Sequence, residues 1–169
     1  TIGDTYCETE KYIEAFELYE YVVENHADTK EALWSQMNLA ITKVKLGDPN
    51  ADAETERLLA QYSGDSDIAR ATCWLADQYG RSGRHKEALR LYADVQAKYP
   101  DSDPAIWSQM GQAISNINLG DDPKAADALA RLIAHYSERE GISKSLRIIA
   151  GELHRSGEER QRCRSIIWR

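Results

Sequence analysis

Apolar residues recur along the chain at steps of three and four, the spacing of helices with one buried face rather than of half-buried strands. Over 11–25, Tyr12, Ala15, Phe16, Tyr19, Val22 and Val23 make one stripe. Over 67–80 the stripe is Ile68, Ala71, Thr72, Leu75, Ala76 and Tyr79. Over 84–99 it is Ala88, Leu89, Leu91, Tyr92, Val95 and Tyr99, and over 143–155 it is Leu146, Ile149, Ala150 and Leu153. Turn residues punctuate the stripes: Gly47-Asp48-Pro49, Ser82-Gly83, Pro100-Asp101-Ser102-Asp103, Gly120-Asp121-Asp122-Pro123 and Ser156-Gly157. Glycine takes the left-handed conformation that ends a helix, and Asp or Ser caps the next one. Connections this short predict antiparallel neighbours.

The chain also repeats itself. Residues 31–48 read EALWSQMNLAITKVKLGD and residues 104–121 read PAIWSQMGQAISNINLGD, an offset of 73. Upstream, Ala15, Tyr19 and Val22 map onto Ala88, Tyr92 and Val95. Downstream, Tyr62-Ser63 maps onto Tyr136-Ser137 and Gly83 onto Gly157 at an offset of 74. A period kept over most of the chain marks a duplication, and its length fits two helix-turn-helix units, four helices in all.

Within those units the residues resemble the tetratricopeptide repeat, whose first helix carries a W-x2-L-G-x2-Y pattern and whose second carries a small residue followed by an aromatic. Trp107, Met110, Gly111 and Ile114 fit the first-helix pattern; so, less closely, do Trp34, Met37, Asn38 and Ile41. Leu75, Ala76 and Tyr79 fit with Thr72 in place of the tryptophan. Ala88, Tyr92 and Pro100 fit the second helix, as do Ala15 and Tyr19 without the proline. Arg162 near the small position makes the last unit degenerate. The resemblance implies an all-α fold, a right-handed superhelical α-solenoid of antiparallel helix pairs. It forms a single array over 1–169 with units near 1–28, 29–64, 65–101, 102–138 and 139–169. Ala40, Ala76, Ala88 and Ala113 are expected to let helices approach closely. Trp34 and Trp107 are expected to fill the space between pairs, with exposed ligand platforms as the alternative. Thr1 is not a methionine and Arg169 falls inside an apparent helix, so the chain reads as a piece of a longer protein.

The resemblance further implies a concave face lined mainly by first helices. Carried over residue by residue, it comprises Ser35, Leu39, Thr42 and Lys43; Arg70, Cys73, Asp77 and Arg81; Ser108, Gln112, Ser115 and Asn116; and Lys144, Arg147, His154 and Arg155. The expected peptide-binding set is Lys43, Arg70, Asp77, Arg81, Gln112, Asn116, Lys144, Arg147 and Arg155. Its cations suit an extended peptide with acidic groups or a free carboxylate; the alternative is a solvated helical face with ordinary charges. The Lys/Asn clamp with which chaperone-binding members hold a C-terminal carboxylate is not reproduced.

Charge and chemistry narrow the function classes. A net charge of −7 argues against general nucleic-acid binding, which needs clustered cations. No apolar run approaches the roughly 18 residues of a membrane span, and no signal peptide is visible. Phosphate-binding glycine loops, H-E-x-x-H and paired cysteines are absent from the sequence, so no cofactor or metal is expected. Cys7, Cys73 and Cys163 are too dispersed for a disulfide framework, and His26, His85, His135 and His154 fall in different helices or turns. Asp65-Ser66-Asp67 and Asp101-Ser102-Asp103 lack the further ligands of a calcium loop and read as caps. Residues 1–30 hold eight acids against two lysines, a net of −6, and residues 139–169 hold eight arginines and lysines against four acids, a net of +4. Opposite ends could attract head to tail, or pack on further parts of a parent protein. The turn Tyr99-Pro100-Asp101-Ser102-Asp103-Pro104-Ala105 looks like that of bacterial cell-envelope repeat proteins, which leaves cytoplasm or periplasm open. The expectation is a non-enzymatic interaction scaffold for a protein or peptide. Its rivals are a structural spacer or self-assembling solenoid and, with no catalytic constellation to support it, an enzyme.

Overall fold

A computed structural model of the chain describes residues 11–26, 31–136, 143, 146–152, 154, 155 and 157. Among them all regular structure is helical: α1 (Tyr12–Asn25), α2 (Glu31–Leu46), α3 (Ala51–Gln61), α4 (Ile68–Arg81), α5 (His85–Lys98), α6 (Asp103–Leu119) and α7 (Asp122–Tyr136), with residues 146–152 helical beyond them. The chain divides between Ser82 and Gly83 into two compact units. In the first, α1 packs on α2, and α2 packs on both α3 and α4. In the second, α6 lies between α5 and α7. Within each unit helices pack on sequence neighbours across short loops, α1 on α2 and α2 on α3 in the first, α5 on α6 and α6 on α7 in the second, and α2 also packs on α4 two helices along, as in an α-solenoid.

The helical stripes are the buried faces. In α4, Ile68, Ala71, Thr72, Leu75, Ala76 and Tyr79 are all buried. In α5, Ala88, Leu91, Tyr92 and Val95 are buried, whereas Leu89 and Tyr99 lie at the margin. Burying a leucine or isoleucine side chain contributes roughly 1.5–3 kcal/mol. That is why Leu75, Ile117 and Leu132, all at most 2% exposed, anchor their helices. Ala40, Ala76, Ala88 and Ala113 are buried, as close helix approach requires. Thr72 fits where the repeat pattern has tryptophan because its hydroxyl donates to the Ile68 carbonyl at 2.7 Å, so no polar group is stranded. Gly47 and Gly120 end α2 and α6 at φ +74°, a conformation that costs a residue with a Cβ.

Some turn chemistry differs from expectation. Asp67 and Ser102 precede α4 and α6 but make no side-chain cap. Asp65 instead accepts from the Asp67 N–H at 2.8 Å, and the Ser102 hydroxyl donates to the Tyr99 carbonyl at 2.7 Å. The nearer carboxylate or carbonyl closes a local turn before a cap can form. Asp121 does cap α7, accepting from the Lys124 N–H at 3.2 Å and from its ammonium at 2.7 Å. These hydrogen bonds hold its carboxyl below the usual range.

Candidate functional site

In the first unit, the stripe Arg70, Trp74, Asp77 and Arg81 runs at steps of four and three along one side of α4, spanning about 16 Å at 1.5 Å per residue. Arg70, Asp77 and Arg81 are exposed and Trp74 is half-buried. Trp34 of α2 meets Trp74 edge to face, with ring centroids 6.2 Å apart and planes at 72°. The Arg70 guanidinium lies over the Trp34 ring, 5.0 Å from its centroid, and 3.3 Å from Asp67. An arginine held on tryptophan and still 53% exposed keeps donors directed outward. Nearby, the Gln36 amide donates to the Tyr62 hydroxyl at 2.8 Å, tying α2 to the loop before α4. Burial, and then the Asp65 charge, push the Tyr62 phenol above its ordinary pKa.

Lys43 is not available as expected. Its ammonium is held by both oxygens of Glu54 on α3, at 2.6 and 2.7 Å, and sits 5.6 Å from the Phe16 ring centre. The side chain is only 17% exposed. A lysine neutralised by a neighbouring helix fastens its own unit together.

In the second unit, Gln112 and Asn116 are buried, as are Ser108 and Ser115. The cause is the central place of α6, covered on one side by α5 and on another by α7, which leaves these positions no open face. Cys73 and Thr42 in the first unit are buried too; Thr42 donates to the Asn38 carbonyl at 2.8 Å. Arg147 and Arg155 are exposed, the latter paired with Glu152 at 2.8 Å, and Lys144 lies outside the described residues. Of the expected set, therefore, the structure brings together Arg70, Asp77 and Arg81, and adds the Trp34–Trp74 pair. Trp107, expected in the core, is 44% exposed, and Trp34 is half-buried. Both stand where the side of a first helix emerges from its packing neighbours. Trp74 was legible from its spacing to Arg70 and Arg81, but an inventory of apolar stripes passes over it because it falls off the buried one.

Among the described residues no group of His, Cys, Asp or Glu could hold a metal ion, and no helix is long and apolar enough to cross a membrane. His85 opens α5 and is half-buried. Its Nδ1 is buried without a hydrogen-bond partner, and burial lowers its pKa against a smaller opposing effect of Glu152.

The close seat of Gly111 against Tyr92, where an added Cβ would fall 2.2 Å from the ring, sets the spacing of α5 and α6. The repeat pattern asks for that small residue. Residues 74–102 and 107–138 match the tetratricopeptide repeat family. With the all-helical fold, that match supports a tetratricopeptide-like helical repeat architecture. No curated protein matches it. Tetratricopeptide repeats generally mediate protein–protein interaction, and the family is typically a non-enzymatic scaffold.

Proposed function

We propose that this repeat protein is a non-catalytic scaffold that holds an extended segment of a partner protein against the α2 and α4 side of its first unit. The observation that carries the reading is the Trp34, Trp74 and Arg70 cluster. The two half-buried indoles offer an apolar seat. Arg70 is oriented by the ring beneath it, so less freedom is lost when it binds a carboxylate. Arg81 lies three turns further along the same side of α4, with Asp77 between them. An extended chain advances about 3.3 Å per residue, so roughly five residues span the stripe. The favoured segment carries an apolar or aromatic side chain flanked by acidic groups. Lys43, Gln112 and Asn116 play no part in this reading, being paired or buried.

The test is capture from a peptide array followed by titration of the selected peptides. Trp74→Ala and the pair Arg70→Gln with Arg81→Gln are each expected to weaken selected peptides at least about tenfold, close to 1.4 kcal/mol. Should parent and variants select the same peptides, or none, the chain acts as a spacer and this face is an ordinary solvated one.

A further inference from the structure

The first described helix presents a side that no described element covers. Ile13 is 65% exposed, Tyr21 60% and Leu18 37%, and Glu17, Glu20 and Glu24 are exposed among them. Steps of three and four place Ile13, Glu17, Glu20, Tyr21 and Glu24 on one side of α1, about 16 Å long. Large apolar side chains framed by carboxylates make a surface with a definite complement: a helix offering an apolar residue framed by cations. The chain contains such a helix. Around 146–155, Arg147, Ile148 and Arg155 are exposed, Arg155 two turns on from the other two and still 66% exposed in its ion pair with Glu152. The segment 139–169 carries +4 against −6 over 1–30.

We propose that the outward side of α1 docks the helix bearing Arg147, Ile148 and Arg155 from a second copy of this chain. Two copies cannot meet through α1 alone, because that would set glutamates against glutamates. The contact therefore joins unlike ends. A contact between different surfaces leaves one of each unused on every pair, so association proceeds past the dimer. It is separate from the peptide-binding face and holds whether or not that face has a ligand.

The experiment is sedimentation velocity on the 169-residue chain at low ionic strength, at concentrations up to about 1 mM, where weak contacts become populated. The weight-average mass should rise steadily with concentration and fall back when salt shortens the screening length to about 3 Å near 1 M. Two charge-reversed chains are compared, Glu17→Lys with Glu20→Lys, and Arg147→Glu with Arg155→Glu. All four side chains are exposed, so both chains should keep the parent's helical circular dichroism. Each alone should associate at least tenfold more weakly than the parent. Mixed in equal amounts they should regain association, since every mixed contact again opposes unlike charges. Ile13→Ser with Tyr21→Ser should weaken the parent without any change of charge. A chain that stays monomeric throughout, stops at a dimer, or gives folded reversed variants that do not rescue one another would overturn the proposal.

Discussion

Replacing Gly111 with alanine puts the packing argument at its most exposed point. An added Cβ would fall 2.2 Å from Cζ of Tyr92 and 2.6 Å from each Cε, where ordinary contact begins at 3.4 Å. The ring would have to withdraw by more than an ångström, and Tyr92 is only 3% exposed, in a helix held by Ala88, Leu91 and Val95. Alanine is the better helix former by about 1 kcal/mol. Overpacking a filled interior costs about 1–3 kcal/mol, and so severe an overlap belongs at or beyond the upper end. The net expectation is a loss of about 2 kcal/mol. A repeat array need not unfold in one step. The loss is therefore best read as native-state hydrogen exchange in peptides from α5 and α6, where protection should fall about 30-fold. Gly151, also helical, has nothing within 4 Å of its would-be Cβ, so Gly151→Ala should stabilise by up to about 1 kcal/mol. In a Tyr92→Leu chain the Gly111 substitution should become neutral or favourable. If Gly111→Ala proves stabilising like Gly151→Ala, the close approach of α5 and α6 is not what the glycine serves.

Two further outcomes are expected. Tyr79 is fully buried and its hydroxyl donates to Asp52 at 2.9 Å, so the Thr55 hydroxyl at 3.1 Å must donate to it. Tyr79→Phe should cost about 1–2 kcal/mol, seen as reduced exchange protection in α3 and α4. His85 has its pKa lowered below 6.5 in the fold by burial, so the unfolded chain binds its proton more readily. This contribution is complete above the unfolded pKa near 6.5 and is lost as pH falls through that value toward the lowered folded one. Denaturation midpoints measured across that window should drop more for the parent than for His85→Asn.

The helices were legible because a stripe depends only on which side is buried. The stripe over 67–80 became α4 at Ile68–Arg81, and that over 84–99 became α5 at His85–Lys98. The interaction surface was less so. Ser108, Gln112, Ser115 and Asn116 are polar letters that suit a wet groove equally well; only the cover given by α5 and α7 puts them inside. Lys43 reads as a free cation until Glu54, eleven residues on and on another helix, is seen to hold it. Trp107 shares its repeat position with Trp34, but identical letters do not guarantee identical neighbours. Trp34 has Trp74 and Arg70 against it, while Trp107 stands 44% exposed.

The notch at Gly111 bears on how two look-alike segments find their own places while the chain folds. Residues 31–48 and 104–121 share enough sequence that a nascent α5 meets two similar candidates to pair with, and such doubling invites exchanged partners. The copies differ where it matters. Position 111 is glycine and admits the Tyr92 ring; the matching position in α2 is Asn38, which carries a Cβ and an amide. Tyr92 therefore has in α6 a seat free of any side chain that α2 does not repeat. A single missing side chain, placed in one copy and not the other, gives otherwise similar partners a difference of shape by which one pairing can be told from the other after duplication has made the parts alike.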